Sequence, residues 1–463
     1  MQKNLSFILL TSLLLALNPH IGLGQKCMTS VIRQQNLKKN PQIQNKINSL
    51  NKFTEKWIAN PDNNNKALKV ETLPLVVHVI WRQKEENISD EQIYSQLTVL
   101  NEDFRKLNSN ISSTPAAFAS LASDVELEFC LASRDPFGNE TTGITRTETS
   151  IDDIGNTDSY YQSNMSGKDS WDPSKYINIW ICDIGDDGTL GYAYLPGMAD
   201  PPEADGMVIA PQYFGNTGTA TNSSPNHLGR TVTHEMGHYL NLEHLWGIDQ
   251  GGCNEDDFVA DTPNQFEEST ECPNFPLFDD CTPAGDGIMF NNFMDYADDD
   301  CMTMFTTGQK MRMLAALNGP RASLLSSNGC AAPTITSLIV TTNADSGTGS
   351  LRAAIDAANT DLEPNTITFN IPESEGYEIT VSNQLPTLEN NGTIIDGTTQ
   401  PGYDGIPIIS INGINTSDAN GFTMHGNNCE VSGLRIRHFN IGIFLDSTDN
   451  SSITNNFIGD NSF

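Results

Sequence analysis

The rhythm of apolar and polar residues changes several times along the chain. Leu9 to Leu17 (LLTSLLLAL) is a short apolar run, preceded by Lys3 and followed by Gly22-Leu23-Gly24. It is too short to span a bilayer and its small-residue end suits cleavage, so residues 1–24 read as a secretory signal peptide. Residues 25–71 are rich in Asn, Gln and Lys, with helical spacing at Ile43, Ile47, Leu50 and Phe53. PDNNNK (61–66) reads as an exposed linker, and the whole segment as dispensable to a core, as a pro-segment would be. Lys66 and Lys69 are exposed candidates for the cut that removes it.

At Leu73 the texture changes. LPLVVHVIW is continuously apolar, as a buried strand is. SDEQIYSQLTVLNEDFRKLN predicts a helix capped by Ser89, with Gln92 completing a capping box and Ile93, Leu97, Leu100 and Phe104 on one face. ELEFCLAS and YINIWICDI predict further strands, and TLGYAYLP and DGMVIAPQYFG two more. Strand, helix, strands and a last helix give an α/β layout with a mixed, twisted sheet over residues 72–318. Residues 319–337 (around NGCAAPTITS) read as a linker. Beyond it one short helix, SLRAAIDAANT, precedes short β segments broken by Gly, Asn and Asp. Val431 matches Ile453 and Ile436 matches Ile458, a period of 22 residues that suits one coil of a parallel β-helix. Residues 338–463 therefore read as an all-β, partial β-helix segment. In its Gly-rich loops Asp396 and Asp404 read as turn residues.

Charge and cysteines narrow the class. The chain has 25 Lys+Arg against 58 Asp+Glu, a net charge of −33. Nucleic acid and anionic membrane surfaces would repel it. Most of this charge is a solvated surface, though clustered carboxylates can also serve calcium. No stretch after the signal peptide is apolar enough to span a bilayer, so the expectation is an exported protein in a compartment that permits disulfides. Nine cysteines are present, four of them between Cys253 and Cys301. Spacing alone fixes no pairing.

The chemistry concentrates in THEMGHYLNLEH. His234 and His238, four apart on a helix, project from one face as two ligands of one metal must. Glu235 borders the metal's open side, where it can take a proton from water. His244 lies nearly three turns further on, so the helix must end and the chain turn back near position 241. That turn wants a positive φ, and asparagine is the most tolerant residue after glycine. Asn241 is thus expected at positive φ, returning His244 to the metal.

Downstream stands NFMDY. HEMGHYLNLEH followed by NFMDY resembles the metzincin metallopeptidases with their Met-turn, and the pappalysin-like family in particular. LPLVVHVIW, FCLASRDP, YINIWICDI, LGYAYLPG and ADTPNQ resemble its catalytic domain as well. The resemblance implies a zinc endopeptidase acting on proteins or peptides. It makes His234, His238 and His244 the zinc ligands, Glu235 the general base and Met294 a floor beneath the site. Tyr296 would stabilise the oxyanion. It further implies disulfides Cys253–Cys281 and Cys272–Cys301, and calcium near DDFVADTP, with Asp257 and Thr262 the leading ligands and Asp261 a weaker one. KCMT resembles the family's short latency motif, with Met28 where glycine is more usual, which makes Cys27 a cysteine switch. Cys130 with Cys182 is a candidate third bridge, though two buried thiols in adjacent strands read the same way, and if Cys330 pairs with Cys429, Cys27 is the cysteine left over. The C-terminal DSGTGSLRAAIDAAN and IDGTTQPGYDG resemble the opening of right-handed β-helix modules of bacterial surface and secreted proteins. Secretion follows from the signal peptide, and attachment to the cell surface stays undecided. Two other functions stay open at this level: an adhesion protein with a vestigial protease domain, and a polysaccharide-active β-helix. Oligomeric state is not legible.

Overall fold

The computed structural model describes residues 27–63, 69–136, 140–185, 188–248, 252–331, 338–360 and 364–461. The expected signal peptide, Lys66 and residues 332–337 of the linker lie outside the described residues. The chain divides into two compact units, residues 1–331 and 332–463, with 137–140 grouped with the second.

The first unit opens with two helices, α1 (Thr29–Lys39) and α2 (Ile43–Ile58). In α2 the buried face is Ile43, Ile47, Leu50, Thr54 and Trp57, and Phe53 is turned outward. In α1 the buried residues are polar: Thr29, Ser30, Arg33 and Asn36. The segment is not dispensable to packing, because Cys27 and Trp57 join the main core and Ile43 and Ile47 pack on Leu195 and Met198.

The central sheet is built on β1 (Glu71–Trp81), with β2 (Leu127–Leu131), β3 (Ile144–Glu148), β4 (Ile177–Ile181), β5 (Gly191–Ala193) and β6 (Met207–Ile209). Its order is β2-β1-β4-β6-β5, and β3 pairs with the second half of β1 beyond β2. All pairings are parallel except β5 on β6. Eight consecutive residues of β1 are buried because both faces are covered. One face carries Leu73, Leu75, Val77 and Val79 against helices α3 (Asp90–Phe104) and α4 (Arg230–Tyr239). The other packs Ile80, Trp180 and Val208 on Tyr160 and Tyr192. His78 lies on that second face, between Thr145 and Asn178, and burial lowers its pKa to about 4.

Ser89 caps α3 as expected, accepting from the Gln92 backbone. The Gln92 side chain does not complete a capping box. It is buried and donates to the Pro211 and Phe214 carbonyls, tying α3 to the loop after β6. Helix α5 (Thr307–Leu317) closes the unit behind a Thr306/Gln309 capping box.

In the second unit, β7 (Ile339–Val340) and α6 (Leu351–Thr360) precede ten short strands: β8 (Thr366–Phe369), β9 (Glu378–Thr380), β10 (Ile394–Asp396), β11 (Ile409–Asn412), β12 (Asn420–Met424), β13 (Glu430–Ser432), β14 (Leu434–Arg437), β15 (Ile441–Leu445), β16 (Ser452–Thr454) and β17 (Phe457–Gly459). They form three parallel ladders: β16-β13-β10-β8-β7, β17-β14-β11-β9 and β12-β15. Val431 sits opposite Ile453 and Ile436 opposite Ile458, so the 22-residue period is a rung-to-rung repeat. Inward Ile367, Ile395, Val431, Ile379, Ile411 and Ile436 make the core. Asp396 turns its carboxylate onto Thr398, as a turn residue does.

Candidate active site

Helix α4 is held by α3. Asp103 forms a buried ion pair with Arg230 and accepts from the Thr233 hydroxyl at 2.7 Å. The helix ends in a Schellman turn. The Asn241 N–H donates to His238 O at 2.9 Å and the Leu242 N–H to Gly237 O at 2.9 Å. Asn241 takes φ +80°, the conformation the turn requires. Its side chain donates to Thr54 of α2, and its carbonyl accepts from Arg312.

The turn brings His244 back to the helix. The three Nε2 atoms lie 3.1 Å (His234–His238), 3.2 Å (His234–His244) and 3.1 Å (His238–His244) apart. The Nδ1 atoms of His234 and His238 each face a carbonyl, Phe293 O and Leu242 O, at 2.8 Å. A carbonyl only accepts, so Nδ1 carries the proton and Nε2 presents a lone pair. Lone pairs converging at this distance call for a shared cation. Zinc–nitrogen bonds of about 2.0–2.1 Å in a tetrahedral site put ligands roughly 3.3 Å apart, close to the spacing found. Burial and the neighbouring imidazoles depress the pKa values of His238 and His244, which keeps both neutral as ligands must be. Cys27 Sγ completes the set, since all four donor atoms lie within 4.8 Å of one another.

The remaining residues surround this centre. Glu235 is buried, which pushes its pKa up to about 8, and its Oε2 accepts from the Thr29 hydroxyl at 3.1 Å. Tyr296 Oη lies 3.2 Å from His244 Nε2 and 3.3 Å from the Cys27 carbonyl. Met294 packs under α4 where the helix has a glycine: a Cβ on Gly237 would meet its sulfur at 2.4 Å. Trp246 stacks on His244, with ring centres 4.5 Å apart. The first residues of the chain described here fill the cleft. Cys27 pairs with Gly191, the Met28 N–H donates to Gly191 O at 3.1 Å, and the Ala193 N–H donates to the Thr29 hydroxyl at 2.9 Å. The edge strand at this end of the sheet is β5, whereas β6 is interior. Beyond it Arg33 makes a buried ion pair with Glu243 at 2.7 Å. Only about 20 Å³ remains unfilled beside Cys27, Glu235 and Tyr296.

Thr29, Arg33 and Glu243 escaped the sequence reading. Thr29 stands two residues after Cys27 and Glu243 just before His244, so each adjoined a residue already singled out.

Cys253 is bonded to Cys281 and Cys272 to Cys301. The third bridge is Cys130–Cys330, and Cys182 and Cys429 are buried free thiols. Cys130–Cys182 and Cys330–Cys429 are therefore corrected. Strand β1 runs between β2 and β4, so Cys130 and Cys182 are two strand spacings apart, roughly 9.5 Å and beyond the reach of a disulfide. Of the expected calcium ligands, Asp257 is buried with its pKa raised to about 8 by desolvation, and it accepts from Thr262. Both Asp261 oxygens are turned to the start of α5, accepting from Thr306 and Gly308.

A helix that carries a carboxylate between two convergent imidazoles, then breaks to return a third, is the constellation of a metal-dependent peptidase. The comparisons with known proteins agree. The peptidase M43 family model, described as pregnancy-associated plasma protein-A, matches residues 160–318. An extracellular metalloprotease of Arthroderma gypseum is 31% identical over 248 residues, 52% of this chain and 71% of the relative. One of Coccidioides posadasii is 37% identical over 139 residues, 30% of this chain and 48% of the relative. Among solved structures, a mutant of Tannerella forsythia promirolysin is 40% identical, with a TM-score of 0.59, covering 65% of this chain and 97% of its own. Mature mirolysin in complex with a cleaved peptide is 46% identical, with a TM-score of 0.53, covering 56% and 96%. The chain belongs to the peptidase M43, or pappalysin, family and is a metalloendopeptidase. Among the described residues no helix is long and apolar enough to cross a membrane.

Proposed function

We propose that the chain is the secreted zymogen of a zinc endopeptidase, with residues 25–71 as pro-segment and 72–318 as catalytic domain. The observation that carries this is the convergence of three imidazole nitrogens and the Cys27 sulfur on one point. His234, His238 and His244 would hold the zinc, and Cys27 would join them as a ligand in the precursor. When bound, zinc supplies a Lewis acid that polarises a carbonyl and makes water a nucleophile at neutral pH. Glu235 takes the proton of the attacking water and passes it to the leaving amine. Tyr296 Oη donates to the substrate oxygen as negative charge develops there. Met294 supports the helix from below, and β5 aligns an extended substrate by strand addition.

In the precursor the same groups are occupied. Cys27 takes the metal, Thr29 engages Glu235, and backbone from Cys27 to Thr29 covers β5. The named proform among the relatives supports this reading. Coverage of this chain falls from 65% for promirolysin to 56% for mature mirolysin, about 40 residues and close to the proposed pro-segment. The relatives' description as extracellular and the signal-like N-terminus support secretion.

Asp257 and Thr262 remain the proposed calcium ligands, because a buried carboxylate held near pKa 8 would be relieved by a cation. Asp261 stays the weaker proposed ligand, its oxygens turned to α5 as those of Asp257 are turned to Val259 and Thr262. We read residues 338–463 as a parallel β-helix, on the strength of the stacked ladders. The test is metal content, N-terminal sequencing and casein cleavage of the secreted, matured protein beside Glu235→Gln. The expected result is equal zinc in both, cleavage by the wild type alone and a new N-terminus near Lys66 or Lys69. Zinc-loaded wild type that cleaves no protein would refute the proposal.

A further inference from the structure

Strand β5 divides two environments. Gly191 and Ala193 face α4: a Cβ on Gly191 would meet the Glu235 side chain at 3.5 Å, and Ala193 belongs to the core on that side of the sheet. Tyr192, between them, points to the opposite face, where it joins Tyr160 and Trp180. Tyr194, just past the strand, packs on the same cluster, its ring centre 6.2 Å from that of Tyr192. Tyr160 and Tyr192 are buried, and Tyr194 is half-buried. The hydroxyls of Tyr160 and Tyr192 donate to the Ala204 and Gly155 carbonyls, at 3.2 and 2.7 Å. A hollow of about 460 Å³ lies between these three rings and α1. Met28 and Ile32 are the apolar residues that the N-terminal segment sets against it. That segment alternates as β5 does. Cys27 is turned to the imidazoles and Thr29 to Glu235, with Met28 between them turned to the tyrosines.

We propose that in the mature enzyme this hollow is a substrate pocket, which takes a large apolar side chain (Met, Leu, Ile or Phe) from a peptide lying along β5. This rests on the reading of residues 25–71 as a pro-segment. When that segment leaves, Met28 and Ile32 leave with it and the tyrosine wall opens to the cleft. A peptide added to β5 keeps the two-residue alternation of a strand, so the residue next to one that faces the metal is directed at the tyrosines. An apolar side chain placed there is removed from water against aromatic surface. A polar one would lose water without gaining a partner from Tyr160 or Tyr192, whose hydroxyls are already engaged. Asp158 and Asp200, exposed at the rim, disfavour an acidic one. Tyr194 is the ring least covered by the rest of the domain, and so the one that decides the preference. The pocket is separate from the small cavity beside Cys27, Glu235 and Tyr296, which is lined by Leu190 at the other end of β5.

The test uses the matured secreted protein on a peptide library randomised on both sides of the scissile bond, then on fluorogenic peptides that differ at one position. The wild type is expected to enrich Met, Leu, Ile and Phe at a position within three residues of the scissile bond, the length of β5. Replacing Leu by Ser there should lower kcat/KM about tenfold. Tyr194→Ala should cut that preference to about threefold or less, with casein still cleaved and the preferences at other positions kept. Tyr194→Gln, which keeps the length of the side chain but not the ring, should do the same, and Tyr194→Phe should keep the preference. The proposal is overturned if the wild type shows no apolar preference at any such position, if Lys and Arg are enriched in its place, or if the Ala and Gln variants retain it. Casein cleavage by the wild type keeps the two readings apart. Its absence refutes the peptidase, and its presence beside a flat library profile refutes the pocket alone.

Discussion

Replacing Asn241 by Ala tests the turn on which the site depends. The backbone at φ +80° costs an ordinary L-residue roughly 1–2 kcal/mol, and asparagine is partly exempt, so the alanine adds about 1 kcal/mol of strain. The change also removes the amide hydrogen bond to Thr54, 3.3 Å long, at about 0.5–1 kcal/mol. The precursor should lose about 2 kcal/mol in all. Asn241→Gly relieves the strain while losing the same hydrogen bond and adding unfolded-state freedom, so it should cost about 1 kcal/mol or less. Urea unfolding, in a Glu235→Gln background that prevents self-cleavage, reads both values. After the pro-segment has gone Thr54 is absent, and the alanine cost should fall to about 1 kcal/mol, the strain alone. Zinc content should drop in Asn241→Ala before it drops in Asn241→Gly. If alanine proves as stable as glycine and holds as much zinc, the left-handed turn is not what returns His244.

Three further outcomes follow from the geometry. Cys27→Ala should activate faster than the wild-type precursor. Thr29→Val, which removes a hydrogen bond to the largely neutral Glu235 worth about 0.5–1.5 kcal/mol, should shorten the activation lag about fivefold. Unchanged lag in both, read by casein cleavage against time, would remove the pro-segment from latency. Asp103→Ala leaves Arg230 buried without its partner and should cost about 3–5 kcal/mol in chemical unfolding. His78, with a folded pKa of about 4 against about 6.5 unfolded, contributes stability that is complete above pH 6.5 and is lost as pH falls toward 4. Between pH 7 and 4 the wild type should therefore lose about 3 kcal/mol more than His78→Gln, and parallel melting curves would refute this.

What could be read from the sequence was what local rules impose. His234, His238 and His244 were legible because helix geometry and a tolerant residue at 241 dictate their convergence. LPLVVHVIW was legible because a strand covered on both faces has no polar alternation. Strand β3 was not, since Ile144–Glu148 has one apolar residue and forms only by pairing with β1. Helix α1 was missed because it buries polar residues whose partners, Glu235, Glu243 and Ala193, lie more than 160 positions away. Gln92 looked like half of a capping box, and a long-range contact with the loop after β6 outbid the local one. Cys130 and Cys330 could be matched only after the strand order was known.

That bridge has a bearing on endurance. A peptidase at working concentration is itself the commonest chain in reach, and its loops are the first to be nicked. Cys130–Cys330 closes a loop of 200 residues that takes in the active-site helix and every strand of the catalytic sheet after β2. Beyond restraining the unfolded chain by about 5 kcal/mol on a loop-entropy model, it changes what a cut does. A break anywhere between the two cysteines leaves both fragments covalently joined, and Cys330 stands just ahead of the second unit. Autolysis within that span can end catalysis, but it cannot sever the second unit from the rest of the chain.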